Sequence, residues 1–103
     1  MTPHHVIDLG TGTAILAMAV VKLWRKNVLA TDIDPIAIQV SKHNTILNKV
    51  HPWINLVEAT GINHATIYHK APYDLVIANI LARPLMGMAK DIAHITALSL
   101  IHI

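Results

Sequence analysis

The stretch that most constrains this chain is Val6-Ile7-Asp8-Leu9-Gly10-Thr11-Gly12-Thr13-Ala14-Ile15-Leu16. A short apolar run ends in an acid. A turn with two glycines follows, and then an apolar segment without a breaker. That order reads as strand, tight turn, helix, because glycine supplies the positive φ and close backbone approach that a tight turn needs. It is the entry to a nucleotide-binding α/β unit.

The rest of the chain continues the alternation. His5–Leu9 reads as a strand apolar on both faces apart from Asp8, as in the interior of a parallel sheet. Ala14–Trp24 is long enough for three turns of helix. Lys22, Arg25 and Lys26 cluster at its end, where cations suit the helix dipole. Asn27–Thr31 is a second strand. It leads into Asp32-Ile33-Asp34-Pro35, with Asp34 suited to an N-cap and Pro35 to the first helical position. The helix runs to about Asn48, with Ile36, Val40 and Leu47 on one face and Ala37 and Asn44 beside them.

Pro52 and Trp53 mark a loop, and Ile54–Glu58 is a third strand. Ala59–Pro72 reads as a long connection with room for a turn of helix. Tyr73–Asn79 is the clearest strand. From Pro84 a helix is expected, with Leu85, Met88, Ala89, Ile92 and Ile95 at helical spacing. His94–Ile103 does not follow the pattern and is set apart as an atypical tail. The sum is a partial doubly wound parallel sheet, about four strands with flanking helices.

Composition narrows the classes. The 103 residues suffice for one small domain, and 53% are hydrophobic against 14% charged. No run approaches the roughly 18 apolar residues of a membrane span. Met1–His5 lacks a basic region followed by an apolar one, so no secretory leader is expected. With no cysteine, disulfides and cysteine-based sites are excluded. These features suit a cytoplasmic protein. The net charge of +2 is scattered along the chain, so no direct nucleic-acid contact is expected. The eight histidines show no ligand spacing, and no metal site is expected.

Three nucleotide-site readings compete for the glycine turn. A phosphate-clamping loop needs a Lys-Ser/Thr pair after its second glycine, and none follows Gly12. A dinucleotide site needs a third glycine at the position held by Ile15. An S-adenosylmethionine site tolerates an acid two residues before the first glycine, where Asp8 stands, because no pyrophosphate has to be neutralised. Asp32 lies 22 positions after Gly10 at a strand end, where a carboxylate accepts both ribose hydroxyls under either surviving reading. Asn79 follows the last strand at the same sheet edge. Its carbonyl there can accept a hydrogen bond from a substrate amine and aim the amine's lone pair.

These stretches, Asp8-Leu9-Gly10-Thr11-Gly12 with Ile15-Leu16-Ala17, Val28–Pro35, and Asp74–Ala82 with Pro84-Leu85, resemble the PrmA family. Its members are S-adenosylmethionine-dependent methyltransferases that trimethylate amino groups of the large-subunit ribosomal protein numbered eleven. The resemblance runs from about Val6 to Ala93, and the Asn79-Ile80-Leu81-Ala82 form is its most specific part. It implies S-adenosylmethionine as cofactor, held by Asp8, Gly10, Gly12, Asp32 and Asn79, with Asn79 also bordering the reacting amine. No residue is assigned as general base. It also implies a large-subunit ribosomal protein as substrate.

Departures from the family pattern are as informative. Ala14 stands where the family has a third glycine. The family's N-terminal docking domain, the Gly-x-His-x-Thr-Thr segment before the first strand, and the Pro-Gly-Gly turn with the final strands have no counterpart here. Residues 1–103 therefore read as part of a methyltransferase catalytic domain whose open sheet edge favours self-association. Two alternatives remain: an inactive remnant that binds cofactor weakly or not at all, and an NAD-binding oxidoreductase fragment.

Overall fold

The computed structural model describes residues 3–62 and 64–78, and the backbone of 96–102. In order these form β1 (Val6–Leu9), α1 (Ile15–Trp24), β2 (Val28–Asp32), α2 (Pro35–Leu47), a 3-10 turn (His51–Trp53), β3 (Ile54–Glu58), α3 (Ala65–Lys70), β4 (Tyr73–Ala78) and β5 (Thr96–His102). The helix expected from Pro84, and Asn79 itself, lie outside the described residues.

All strand pairings in the sheet are parallel, with order β3-β2-β1-β4-β5. The four expected strands are present. The tail set apart at His94–Ile103 contributes a fifth, which pairs Tyr73 with Thr96 and Ala78 with His102. The register of that pair shifts between Tyr73 and Leu75.

The central strands are buried on both faces, as their continuous apolar runs require. One core packs Val6, Val28, Ala30, Leu75 and Ile77 against Ala17, Val20 and Val21 of α1. Trp53 and Met18 pack on its margin. The opposite face packs Ile7, Leu9, Leu29 and Val76 against Ile62 and Ile67. The chain changes face after β3, and the strand order reverses direction between β1 and β4. Ligands of open α/β sheets bind outside the carboxyl ends of strands at such a switch point.

Helix α2 departs from the sequence reading. Ile36 and Leu47 are 67% and 65% exposed, and Val40 is exposed with them. The inward residues are Ile38, Ser41 and Thr45. Two of these are polar, which apolar periodicity cannot recognise as a buried face. The start of the helix is as expected. The Asp34 side chain accepts a hydrogen bond from Ile36 N at 2.9 Å, and Pro35 opens the first turn.

Helix α3 is short and held by a tertiary contact. The buried Tyr73 hydroxyl donates to the Ile67 carbonyl at 2.7 Å. Burial pushes its phenol up to about 12, so it stays neutral and able to donate. Tyr73→Phe should leave that carbonyl unpaired and lower stability by about 1–2 kcal/mol in urea unfolding. An unchanged midpoint would show that the bond contributes nothing.

Candidate functional site

Four of the residues singled out as site candidates, Asp8, Gly10, Gly12 and Asp32, meet at the carboxyl edge of β1 and β2. The turn between β1 and α1 carries a run of left-handed residues, with Gly10 at φ 69°, Gly12 at φ 60° and Ala14 at φ 68°. It is held from three sides. Thr11 N donates to Thr31 O at 2.8 Å, tying the turn to β2. Gly12 N donates to Asp32 Oδ2 at 2.9 Å, while Asp32 Oδ1 accepts from Asp34 N at 3.0 Å. From α2, Ser41 Oγ donates to Gly12 O at 2.6 Å and Asn44 Nδ2 donates to Thr13 O at 3.0 Å. Among the described residues, a Cβ built on Gly12 would meet no heavy atom within 4 Å. No described residue fills the space above it, which suits close approach of a ligand to its backbone.

Asp8 lies beneath the turn and is 1% exposed. Its Oδ2 accepts from Thr11 Oγ1 at 2.8 Å, and its Oδ1 is buried without a partner among the described residues. Burial pushes its carboxyl up from 3.8 to about 6. The Thr11 hydroxyl and the Ala17 backbone N–H pull it down, and the nearby Asp32 charge adds to the rise. The Ala17 N–H acts on this carboxyl without completing a hydrogen bond of ordinary geometry to Oδ1, so that oxygen keeps capacity for a further donor, a cationic one above all.

Glu58 stands beside Asp32 in the β2–β3 register, and Ala59 N donates to Asp32 O at 2.9 Å. Asp8, Asp32, Asp34 and Glu58 therefore collect at one edge. Among the described residues, no group of three histidine or acidic side chains is placed to hold a metal ion.

Two expectations about the turn change. Ile15 is 66% exposed, so its branched side chain does not occupy a tight helix–strand contact. The confined position is Ala14, which is 0% exposed and sits in the left-handed region as the N-cap of α1. The argument against a dinucleotide site from Ile15 packing therefore loses its basis, and the one from Asp8 stands. Thr11, Ser41 and Asn44 were not singled out as site residues. Their signal was small polar residues within apolar surroundings, and in α2 two of them stand three apart.

With this geometry in place, comparison with known proteins is direct. The profile of the family described as "Ribosomal protein L11 methyltransferase (PrmA)" matches residues 1–100. The chain belongs to the PrmA family. A curated family member from Mesorhizobium japonicum is 51% identical over 96 residues, covering 93% of this chain and 33% of its own. One from Chelativorans sp. is 46% identical over 92 residues, covering 89% of this chain and 32% of its own. The chain thus spans about a third of the length of these relatives.

Among solved structures, the ribosomal protein L11 methylase of Lactobacillus delbrueckii subsp. bulgaricus superposes with a TM-score of 0.86 at 32% identity, covering 97% of this chain and 50% of its own. TrmK of M. capricolum, solved with S-adenosyl-homocysteine, superposes at 0.80 with 17% identity, covering 91% of this chain and 42% of its own. At that identity it shows the fold alone. The fold of this PrmA-family chain is the Rossmann-like one of S-adenosylmethionine-dependent methyltransferases.

Two substitutions test the energetics of the turn. The raised Asp8 carboxyl binds its proton more tightly folded than unfolded, so stability falls as pH rises from about 4 to 6 and then levels. The shift from 3.8 to about 6 corresponds to roughly 3 kcal/mol. Asp8→Asn should raise stability by about 2–3 kcal/mol at pH 7.5 in urea unfolding, and the gain should vanish near pH 4. A gain independent of pH would disprove the linkage. At Ala14 the left-handed conformation costs about 1–2 kcal/mol, against about 0.5–1 kcal/mol for glycine entropy. Ala14→Gly should therefore be neutral or stabilising by up to about 1 kcal/mol. Ala17→Gly, within α1, should cost about 1–2 kcal/mol. Equal losses at the two positions would show that Ala14 is not strained.

Proposed function

We propose that this chain forms the cofactor-binding core of an S-adenosylmethionine-dependent protein methyltransferase. Its substrate would be amino groups, lysine or N-terminal, of a large-subunit ribosomal protein, and its compartment the cytoplasm. The observation that carries the reading is the buried Asp8 Oδ1, without a hydrogen-bond partner among the described residues, beneath the glycine turn. The donor set fits the cofactor. Asp8 Oδ1 offers an acceptor for its ammonium group, the turn at Gly10 and Gly12 admits close backbone approach, and Asp32 at the end of β2 accepts ribose hydroxyls. When bound, the cofactor supplies an already activated methyl group for in-line displacement.

The protein's share is orientation and exclusion of water. Holding the reactants in line can contribute up to roughly 7–11 kcal/mol in favourable systems. The attacking amine must be neutral, and burial in the assembled site lowers a lysine pKa in that direction. Asp32, Asp34 and Glu58 at this edge attract a cationic substrate before it is buried. Asn79, by its position after β4 and the family resemblance, is proposed to accept a hydrogen bond from that amine and to border the cofactor. It lies outside the described residues. The general base is unassigned.

A second reading has its own observation. Left-handed Ala14 puts strain in the turn where family members have glycine, which favours a remnant that binds the cofactor weakly.

Calorimetric titration with S-adenosyl-homocysteine tests both. Micromolar binding is expected, weakened about tenfold to a hundredfold in Asp32→Ala, since hydrogen bonds to a charged group contribute about 1.5–3 kcal/mol. No heat with this ligand but binding of NAD would overturn the methyltransferase site. Binding that appears only in Ala14→Gly would establish the remnant.

A further inference from the structure

Among the described residues, one side chain hydrogen-bonds the buried Asp8 carboxyl, that of Thr11. Thr11 is itself buried and has little freedom. Its N–H donates to Thr31 O at 2.8 Å, and its carbonyl accepts from Ala14 N at 2.9 Å. Its hydroxyl donates to Asp8 Oδ2 at 2.8 Å. The two backbone bonds fix the residue between β2 and the start of α1, and a β-branched side chain is stiff about χ1. The hydroxyl is therefore aimed at Oδ2 by the same contacts that hold the turn.

The surroundings of Asp8 oppose its charge. Val6, two residues before it, packs in the core under α1, and side chains two apart in a strand share a face. Its neighbours in register are the apolar Ala30 of β2 and Ile77 of β4. Desolvation there favours the neutral acid, and the Asp32 charge at the end of β2 adds to that preference. From α1 the Ala17 N–H acts the other way, as the Thr11 hydroxyl does from the turn. No cation among the described residues offsets the burial. A neutral acid is a poor partner for an ammonium group, so the donor on Oδ2 bears directly on what Oδ1 can bind.

We propose that Thr11 is a positioning residue of the cofactor site: its hydroxyl holds Asp8 ionised and turned so that Oδ1 is the oxygen left for the cofactor's ammonium group. The proposal rests on the methyltransferase reading. Its consequence is a competition. Where Asp8 is protonated in the free chain, the ammonium group takes the proton's place, and the proton leaves to solvent. Burial alone gives no reason for a hydroxyl at this position, since valine has the shape of threonine without the donor.

Calorimetric titration of the full chain with S-adenosyl-homocysteine, from about pH 5 to about pH 8.5, tests this. Affinity should fall below about pH 6, the range to which burial raises the Asp8 carboxyl, by up to about tenfold per unit of pH. Thr11→Val removes a bond that favours the charged form, so the fall should begin about one unit higher. Binding at about pH 6 is then weakened about fivefold, and at about pH 8.5 by less than about twofold. Thr11→Ser keeps the donor and should stay within about twofold of the unmodified chain throughout. In the unmodified chain, the Thr11 hydroxyl proton resonance should move with a midpoint near pH 6 as its acceptor loses charge, and should stop moving over that range when the ligand is saturating. A loss in Thr11→Val that is the same at every pH, an equal loss in Thr11→Ser, or a hydroxyl resonance that does not move overturns the proposal and leaves the cofactor site standing. Absence of binding at every pH overturns both.

Discussion

The carboxyl edge of this molecule depends on how Gly12 is held. Its N–H meets Asp32 at the end of β2, and its carbonyl meets Ser41 of α2. A turn in which three residues have positive φ is not a conformation the chain keeps unaided, and Ala14 alone opposes it by about 1–2 kcal/mol. The charge-assisted bond from Gly12 N–H to Asp32 contributes about 1.5–3 kcal/mol and the neutral ones about 1 kcal/mol each, which is enough to offset that strain. The same bonds keep Asp32 at the switch point and the space above Gly12 open. Position, strain and ligand access thus rest on one residue's two backbone groups.

Electrostatics follow from strand direction. Parallel strands joined by right-handed crossovers oblige every helix to run back across the sheet. Helix ends carry cations because the dipole favours them there, and strand ends carry the acids that cap or line the site. The sheet therefore sorts charge into two edges. At the acidic edge Asp8 is the costly member, buried with one oxygen unpartnered among the described residues and its carboxyl raised to about 6 by that burial. The chain belongs to the PrmA family and spans about a third of its relatives' length.

The order of elements was legible because each strand, turn and helix declares itself locally. Gly10 and Gly12 punctuate the first unit, Asp34-Pro35 caps the second helix, and Leu75–Ala78 is a continuous apolar run. Asp8, Gly10, Gly12 and Asp32 were legible as a set because spacing along an α/β unit maps directly onto one sheet edge. The inward face of α2 was not legible, since Ser41 and Thr45 are buried on account of partners: Gly12 O for Ser41 and Lys42 O for Thr45. Strand β5 was not legible either, because no glycine or proline turn announces it.

By itself the sequence determined the alternating class, the glycine turn and the acids around it. These are set by local backbone preference and by residue type at fixed spacing. Only the tertiary structure decided which face of α2 turns inward and that Ala14 rather than Ile15 occupies the confined position. Each of those depends on a contact or a direction between segments distant in the chain, and one-dimensional spacing carries no record of such distances.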